Sequence, residues 1–262
     1  MRTLRILVLV LTAVAFAMPA SAKKEKADKK DIDLGEWVKQ QAEALPTEVD
    51  GVRIYRPSTQ NGKAVVSDII DLPGISPRQA FIAALIYARE KLDPEFEQMG
   101  KVDFDKYRFI VSLAPVSGEG KEQATFSYDQ AFQFTDDILS FQASGIVVGY
   151  KEKGFLPRKL EAEKLKPATN ARHKELVEEF ALLNSGYLAA MMNYIRENPA
   201  IEVTHWNEIR NGNVIKGMTP AEVTLIAGKP ANINDSGNRV KWLYSNDFIV
   251  VFTNGIVTNV VQ

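Results

Sequence analysis

The 262-residue chain contains no cysteine and only two histidines, His173 and His205. The absence of cysteine excludes disulfides, thiolate metal ligands, a cysteine nucleophile and a lipid anchor on an N-terminal cysteine. Neither sign of charge dominates, since 32 Lys and Arg stand against 33 Asp and Glu. Because nucleic-acid-binding proteins carry a basic footprint, we expect no nucleic-acid partner.

Motifs of catalysis and metal binding are also scarce. The sequence has no His-x-x-x-His pair and no Gly-x-Ser-x-Gly nucleophile elbow. The adjacent acids Asp136-Asp137 and Glu178-Glu179 are interpreted as a turn and a solvated helix face, and His173 as a solvated residue of a helix-capping turn. We therefore expect no catalytic, cofactor-binding or metal-binding residues and a protein that is not an enzyme. A hydrolase with a site assembled from distant residues is the opposing hypothesis.

The N-terminus has the pattern of an export signal. Arg2 and Arg5 precede an apolar run from Ile6 to Met18, and Ala20-Ser21-Ala22 forms a small-residue cleavage site. The run is shorter than the roughly 20 apolar residues of a membrane-spanning helix, and no later segment reaches that length. We expect cleavage after residue 22 and a mature chain in the periplasm or on the periplasmic face of the outer membrane, without a transmembrane span. An uncleaved N-terminal anchor is the alternative.

The remaining chain is predicted to have three parts. Residues 23–33 form a charged tether, residues 34–198 an N-terminal α+β domain, and residues 199–262 a C-terminal module. Apolar periodicity in the domain predicts a short helix at Leu34–Leu45, a helix capped by Ser76, and a long helix from Ala171 to Glu197. Its predicted strands are Ala64–Leu72, Tyr107–Leu113, Gln123–Tyr128, Ala131–Phe134 and Ile138–Tyr150. This order predicts an antiparallel sheet flanked by helices.

The C-terminal module has the clearest local signals. Thr219 and Glu222 form a capping box, Pro220 suits the first helical position, and Gly228 with Pro230 ends the helix. Three strands follow, at Val240–Ser245, Phe248–Thr253 and Ile256–Val261, and Asn254-Gly255 is a strong hairpin turn. Together with a short helix at His205–Ile209, they predict a small module of two helices and a three-stranded antiparallel sheet.

The segment VIKGMTPAEVTLIAGKP, at Val214–Pro230, resembles the SmpA/OmlA family, whose BamE-like members belong to the outer-membrane β-barrel assembly machine. In that family a Gly-Met-Thr turn opens the second helix, a Gly-x-Pro ends it and a Trp or Tyr starts the sheet. The matching positions here, taken as fold-defining, are Gly217, Met218, Thr219, Gly228, Pro230, Trp242, Tyr244 and Gly255. The resemblance implies a small fold that binds envelope proteins or lipid head groups, with a role in outer-membrane or envelope assembly as the expectation. The cysteine that anchors members of that family is missing here.

Residues 64–195 are similar in element order to uncharacterised envelope domains with a TATA-binding-protein-like sheet. That resemblance implies a fold and nothing about DNA.

These observations favour a non-enzymatic interaction module. Trp206 is a possible exposed interface anchor, with core packing as the alternative. A second hypothesis is a periplasmic carrier that binds a small apolar ligand between the long helix and the N-terminal sheet. Tyr187, Met191, Met192 and Tyr194 could line such a pocket, although simple core packing explains them as well.

Overall fold

The computed structural model describes residues 47–49, 51–91, 98–151, 156–244 and 247–261. The predicted signal peptide, the tether and the helix at Leu34–Leu45 lie outside these residues. The described chain is a mixed α+β structure of antiparallel sheets and few helices, which confirms the predicted class.

The main sheet has eight antiparallel strands within the described residues, in the order β3-β4-β9-β8-β6-β5, with β7 paired to β8 and β10 to β9. A separate hairpin precedes it, made of two strands of two residues each, β1 (Glu48–Val49) and β2 (Val52–Arg53). The strands of the main sheet are β3 (Ser58–Gln60), β4 (Lys63–Asp71), β5 (Gln98–Asp103), β6 (Arg108–Leu113), β7 (Val116–Ser117), β8 (Ala124–Thr135), β9 (Ile138–Tyr150) and β10 (Arg158–Glu161).

The long hairpin of β8 and β9 forms the centre of this sheet. Asp136 adopts a φ of 42° in the turn between them, as expected for a short polar residue at a tight reversal. The prediction of two strands at 123–128 and 131–134 was wrong, because β8 runs unbroken through Asp129 and Gln130. Pairing with β6 on one side and β9 on the other holds these turn-prone residues in the sheet.

Two helices cover one face of the main sheet. Helix α1 (Pro77–Lys91) begins at Ser76, whose Oγ accepts a hydrogen bond of 3.3 Å from the backbone N–H of Gln79. Every residue from Ala80 to Ala88 is buried. A helix that is apolar all round must be surrounded, and α1 lies between the sheet, α2 and the C-terminal module.

Helix α2 (Ala171–Glu197) has the predicted bounds. The side chain of Asn170 caps it by accepting from the backbone N–H of Arg172 and His173. Its buried stripe packs on the sheet, where Phe180 contacts Tyr128 with ring centroids 5.1 Å apart. Met191 and Met192 are buried in this core.

The C-terminal module comprises α3 (Trp206–Asn211), α4 (Pro220–Ala227) and a four-stranded antiparallel sheet. Its strands are β11 (Asn232–Asp235), β12 (Arg239–Leu243), β13 (Ile249–Thr253) and β14 (Ile256–Val261). Strand β11 adds to the three predicted ones; its sequence Asn-Ile-Asn-Asp has low strand propensity, so pairing with β12 makes it a strand. Because α4 packs on α1, the apolar core continues from the main sheet into this module.

Among the described residues, no helix has both the length and the hydrophobicity that a membrane crossing requires.

Candidate functional site

The Gly217-Met218-Thr219 turn is attached to the edge of the small sheet. The Gly217 N–H donates to the Val257 carbonyl at 2.9 Å, and the Val257 N–H donates to the Met218 carbonyl at 2.8 Å. Gly217 has a φ of 94°, a conformation that side-chain-bearing residues rarely adopt. These bonds occupy the β14 edge beside Val257, so the turn fixes the sheet against α4.

Glu222 links the start of α4 to the start of α3. Its buried carboxylate accepts from the backbone N–H groups of Thr219 (2.8 Å), Thr204 (2.7 Å) and His205 (2.8 Å) and lies 3.1 Å from Nδ1 of His205. Burial raises the pKa of Glu222, but these hydrogen bonds outweigh burial and hold that pKa below its ordinary value. With its acceptor positions engaged in capping, the carboxylate forms a structural pair with His205.

The far end of α4 is fixed by residues of the same motif. Gly228, with a φ of 73°, ends the helix, and its carbonyl accepts a 3.0 Å hydrogen bond from the hydroxyl of Tyr244. Pro230 follows as a half-buried residue before β11. Trp242 packs on Phe252 on the side of the sheet that faces the helices, with ring centroids 4.7 Å apart.

The last position of the motif lies in the turn between β13 and β14. Asn254 and Gly255 have φ values of 51° and 76°, as the predicted hairpin requires. The structure thus brings the matched motif residues together as the framework of one module.

Trp206 is half-buried at the junction between this module and the main sheet. Its ring meets Phe104 edge-on at 5.6 Å, and the Arg78 guanidinium lies 4.5 Å above it. An open polar groove of about 480 Å³ runs beside it, bridged by a 2.6 Å ion pair between Asp105 and Arg210. Trp206 therefore anchors an interface inside the chain.

His173 is buried, so its interpretation as a solvated residue was wrong. The backbone N–H of Lys166 donates to its Nδ1 at 2.9 Å, and its Nε2 lies 2.8 Å from the Tyr150 hydroxyl. An Nδ1 that accepts a hydrogen bond places the proton of the neutral ring on Nε2. Both histidines thus hold the fold together. Within the described residues, no three His, Asp or Glu side chains are grouped closely enough to bind a metal ion.

The side of the small sheet that faces away from α3 and α4 is a different kind of surface. We name it the C-terminal face, defined by the outward residues of β12, β13 and β14. Leu243, Ile249 and Val261 lie side by side in one row across the three strands. Val251 stands in the next row, flanked by Lys241 and Asn259. Arg239, Thr253 and Ile256 form the third row.

The C-terminal face carries aliphatic side chains that do not belong to the core cluster, beside polar and charged ones. Leu243 and Ile249 are half-buried and do not belong to the core cluster, whereas Val250 and Phe252, on the opposite side of β13, belong to it. Val251, in the middle row, is only 6% exposed. Val261 is 45% exposed and Ile256 40% exposed. Antiparallel sheets with one solvated face normally alternate apolar and polar residues. Strand β13 instead has aliphatic residues on both faces, which is typical of a strand covered on both sides.

Sequence reasoning missed the C-terminal face, although a signal for it was present. The run Ile249-Val250-Val251-Phe252 has no alternation, and continuous apolar strands are typical of sheets buried on both faces. The two helices of the predicted module could cover only one face of its small sheet.

Comparison with solved structures finds two similar chains, each over about half of this one. A TBP-like protein from Parabacteroides distasonis has 16% sequence identity and a TM-score of 0.47, over 53% of this chain and 97% of that chain. A DUF4468 family protein from Bacteroides ovatus has 16% identity and a TM-score of 0.43, over 52% of this chain and 90% of that chain. No protein-family profile and no curated protein matches the chain. The resemblance of the C-terminal module to the SmpA/OmlA family stays a prediction.

Proposed function

We propose that this chain is an exported, non-enzymatic protein of the cell envelope that binds another envelope protein through its C-terminal face. The observation that carries the proposal is the aliphatic row of Leu243, Ile249 and Val261, partly exposed and outside the core cluster. Covering such side chains contributes about 25 cal/mol per Å² of apolar surface removed from water. A partner that packs on this row would remove the partly exposed Leu243, Ile249 and Val261 from water.

Two sequence features give the proposal its compartment and context. The N-terminal signal pattern supports export to the periplasm or the periplasmic face of the outer membrane. The Gly217-Met218-Thr219 and Gly228-x-Pro230 pattern, similar to the SmpA/OmlA family, supports a role in envelope or outer-membrane assembly. The turn that this pattern builds pairs with the β14 edge of the small sheet, and the Gly228 cap accepts a hydrogen bond from Tyr244 on the helix-facing side.

The test is affinity capture from detergent-solubilised envelope, with the tag inserted after residue 22 so that β14 stays unmodified. We expect the wild type to capture an envelope protein. The double variant Ile249→Thr/Val261→Thr should capture on the order of tenfold less of it. Threonine keeps the branched shape that suits a strand. Ile69→Thr is the matched control, because Ile69 is 57% exposed on the outer face of the main sheet. Equal capture by the double variant and the wild type would contradict the proposal.

One observation favours the second candidate, a carrier of a small ligand between α2 and the main sheet. The side-chain amides of Asn184 on α2 and Gln130 on β8 are fully buried, and no hydrogen-bond partner is found for them among the described residues. Aromatic ring contacts between α2 and β8 lie close to these amides: Phe180 packs on Tyr128, and Tyr187 packs on Phe132. Buried amides at this level are suited to hold the polar end of an otherwise apolar ligand.

A carrier of this kind would be stabilised by its ligand, since binding to the native state alone raises the free energy of unfolding. Thermal unfolding with fatty acids and sterols tests this, with Asn184→Leu as the variant that removes one amide. A rise in melting temperature that disappears in Asn184→Leu would support the carrier. The same rise in both proteins, or none in the wild type, would exclude this site.

A further inference from the structure

The cations of the C-terminal face have fixed positions relative to its aliphatic row. Lys241 lies beside Val251 in the middle row, and Arg239 lies beside Thr253 in the third row. No carboxylate of the described residues forms an ion pair with either of them. The register places Asp235 opposite Val240, on the side facing the helices, so the outward rows contain no acid. The face therefore combines an aliphatic row with two cations and no negative side chain.

A second copy of this chain is a poor match for such a surface. Two copies packed face to face would bring four cations together without one carboxylate between them. Like charges brought close in a desolvated interface oppose association and suppress the wrong partner.

An anionic lipid surface is a poorer match than an acidic protein. Surfaces that insert into the interface typically use Trp, Phe or Leu on their apolar side. Here the rings of Trp242, Tyr244 and Phe252 lie on the opposite face of the sheet or toward its helices. The aliphatic residues of the outward rows are mostly β-branched, a type that fits a pleated, half-buried surface.

From this complementarity we infer that the partner of the C-terminal face is an acidic protein surface. An aliphatic strip covers Leu243, Ile249 and Val261, and carboxylates beside that strip pair with Lys241 and Arg239. The inference rests on the proposed function and names the chemistry of its partner.

Zero-length carbodiimide cross-linking reads out this contact directly, because it joins a lysine amine only to a carboxylate in contact with it. In complexes captured from solubilised envelope, we expect mass spectrometry to find Lys241 joined to an Asp or Glu of another protein. Lys241→Arg keeps the charge, so the same protein should still be captured while the cross-link disappears. The reversal Arg239→Glu/Lys241→Glu should lower capture on the order of tenfold. Lys101→Glu, at an exposed cation of the main sheet, should leave capture unchanged.

Failure of this inference can be told apart from failure of the proposed function. If Ile249→Thr/Val261→Thr removes capture but the charge reversal does not, the face binds a partner that is not acidic and only the inference is overturned. A Lys241 cross-link to a second copy of this chain also overturns it. Sedimentation with vesicles of phosphatidylethanolamine and phosphatidylglycerol that depends on Arg239 and Lys241 would make lipid the partner instead. If the apolar double variant leaves capture unchanged, the proposed function itself fails.

Discussion

The guanidinium of Arg89, in the last turn of α1, donates a hydrogen bond to the carbonyl oxygen of Ile226, in the last turn of α4. The same Nη1 lies 3.4 Å from the Thr224 carbonyl. Carbonyls at the end of a helix lack partners within the helix and attract cations. Arg89 thus joins the helix of the main domain to the helix of the C-terminal module, across 137 positions of sequence.

Two substitutions of Arg89 distinguish the contribution of its packing to the free energy of unfolding from the contribution of its charge. Burial lowers the pKa of Arg89 to about 10, only partly opposed by Tyr244, so the folded protein holds this cation against a desolvation cost. In Arg89→Met the loss of the hydrogen bonds is offset by relief of that cost, and we expect a free energy of unfolding within about 1 kcal/mol of wild type. Arg89→Ala also removes the buried stem and should cost about 2–3 kcal/mol. Urea unfolding of both variants checks this, and equal losses would show that the charge dominates.

Gly217→Ala tests the backbone of the motif turn. A Cβ at position 217 would meet the His205 ring at 3.5 Å, an ordinary contact, so the expected cost comes from the φ of 94°. We expect the free energy of unfolding to fall by about 1–3 kcal/mol. Gly149→Ala is the control, because Gly149 lies in β9 without a positive φ and its Cβ would meet nothing closer than 3.8 Å. Similar effects of the two substitutions would contradict this account.

Local signals predicted much of this structure, because their physics acts over a few residues. Apolar periodicity predicted α2, the Thr219–Glu222 capping box predicted the start of α4, and Asn254-Gly255 predicted the hairpin turn. These features depend on helical periodicity, capping hydrogen bonds and positive φ, all of which can be read from short windows.

Contacts between distant parts of the chain could not be predicted in the same way. His173 is buried against Tyr150. Helix α1 is buried on all sides because α4, from a distant part of the sequence, packs on it. The C-terminal face is an intermediate case. The unbroken run Ile249–Phe252 indicated two apolar faces, but only the three-dimensional pairing shows that Val250 and Phe252 are the pair that joins the core cluster.

Glu222 should make the stability of the protein sensitive to acid. Its folded-state pKa lies below the ordinary value of 4.5, so in the unfolded chain it binds a proton at higher pH than in the folded one. Its contribution is therefore complete above pH 4.5 and is lost as the pH falls through the folded-state pKa. Glu222→Gln should lower stability at pH 7 and flatten its decline between neutral and acidic pH. Urea unfolding across this range measures both effects, with Glu197→Gln, at an exposed carboxylate, as the control. An unchanged slope in Glu222→Gln would contradict the prediction.

Trp206 and Arg78 should be energetically coupled through the stacking of the guanidinium on the indole. The Arg78 guanidinium lies 4.5 Å from the ring centroid, and Phe104 supports the ring from another side. In a double-mutant cycle with Arg78→Met and Trp206→Leu, we expect a coupling of about 0.5–2 kcal/mol in the free energy of unfolding. Arg53 and Tyr55 offer a matched comparison at 5.1 Å, but Arg53 is more exposed and also pairs with Asp68, so that cycle should give a smaller value. Because Trp206 packs inside the chain, Trp206→Leu should lower stability without removing the captured envelope protein. Loss of capture at full stability would instead make Trp206 a contact for the partner.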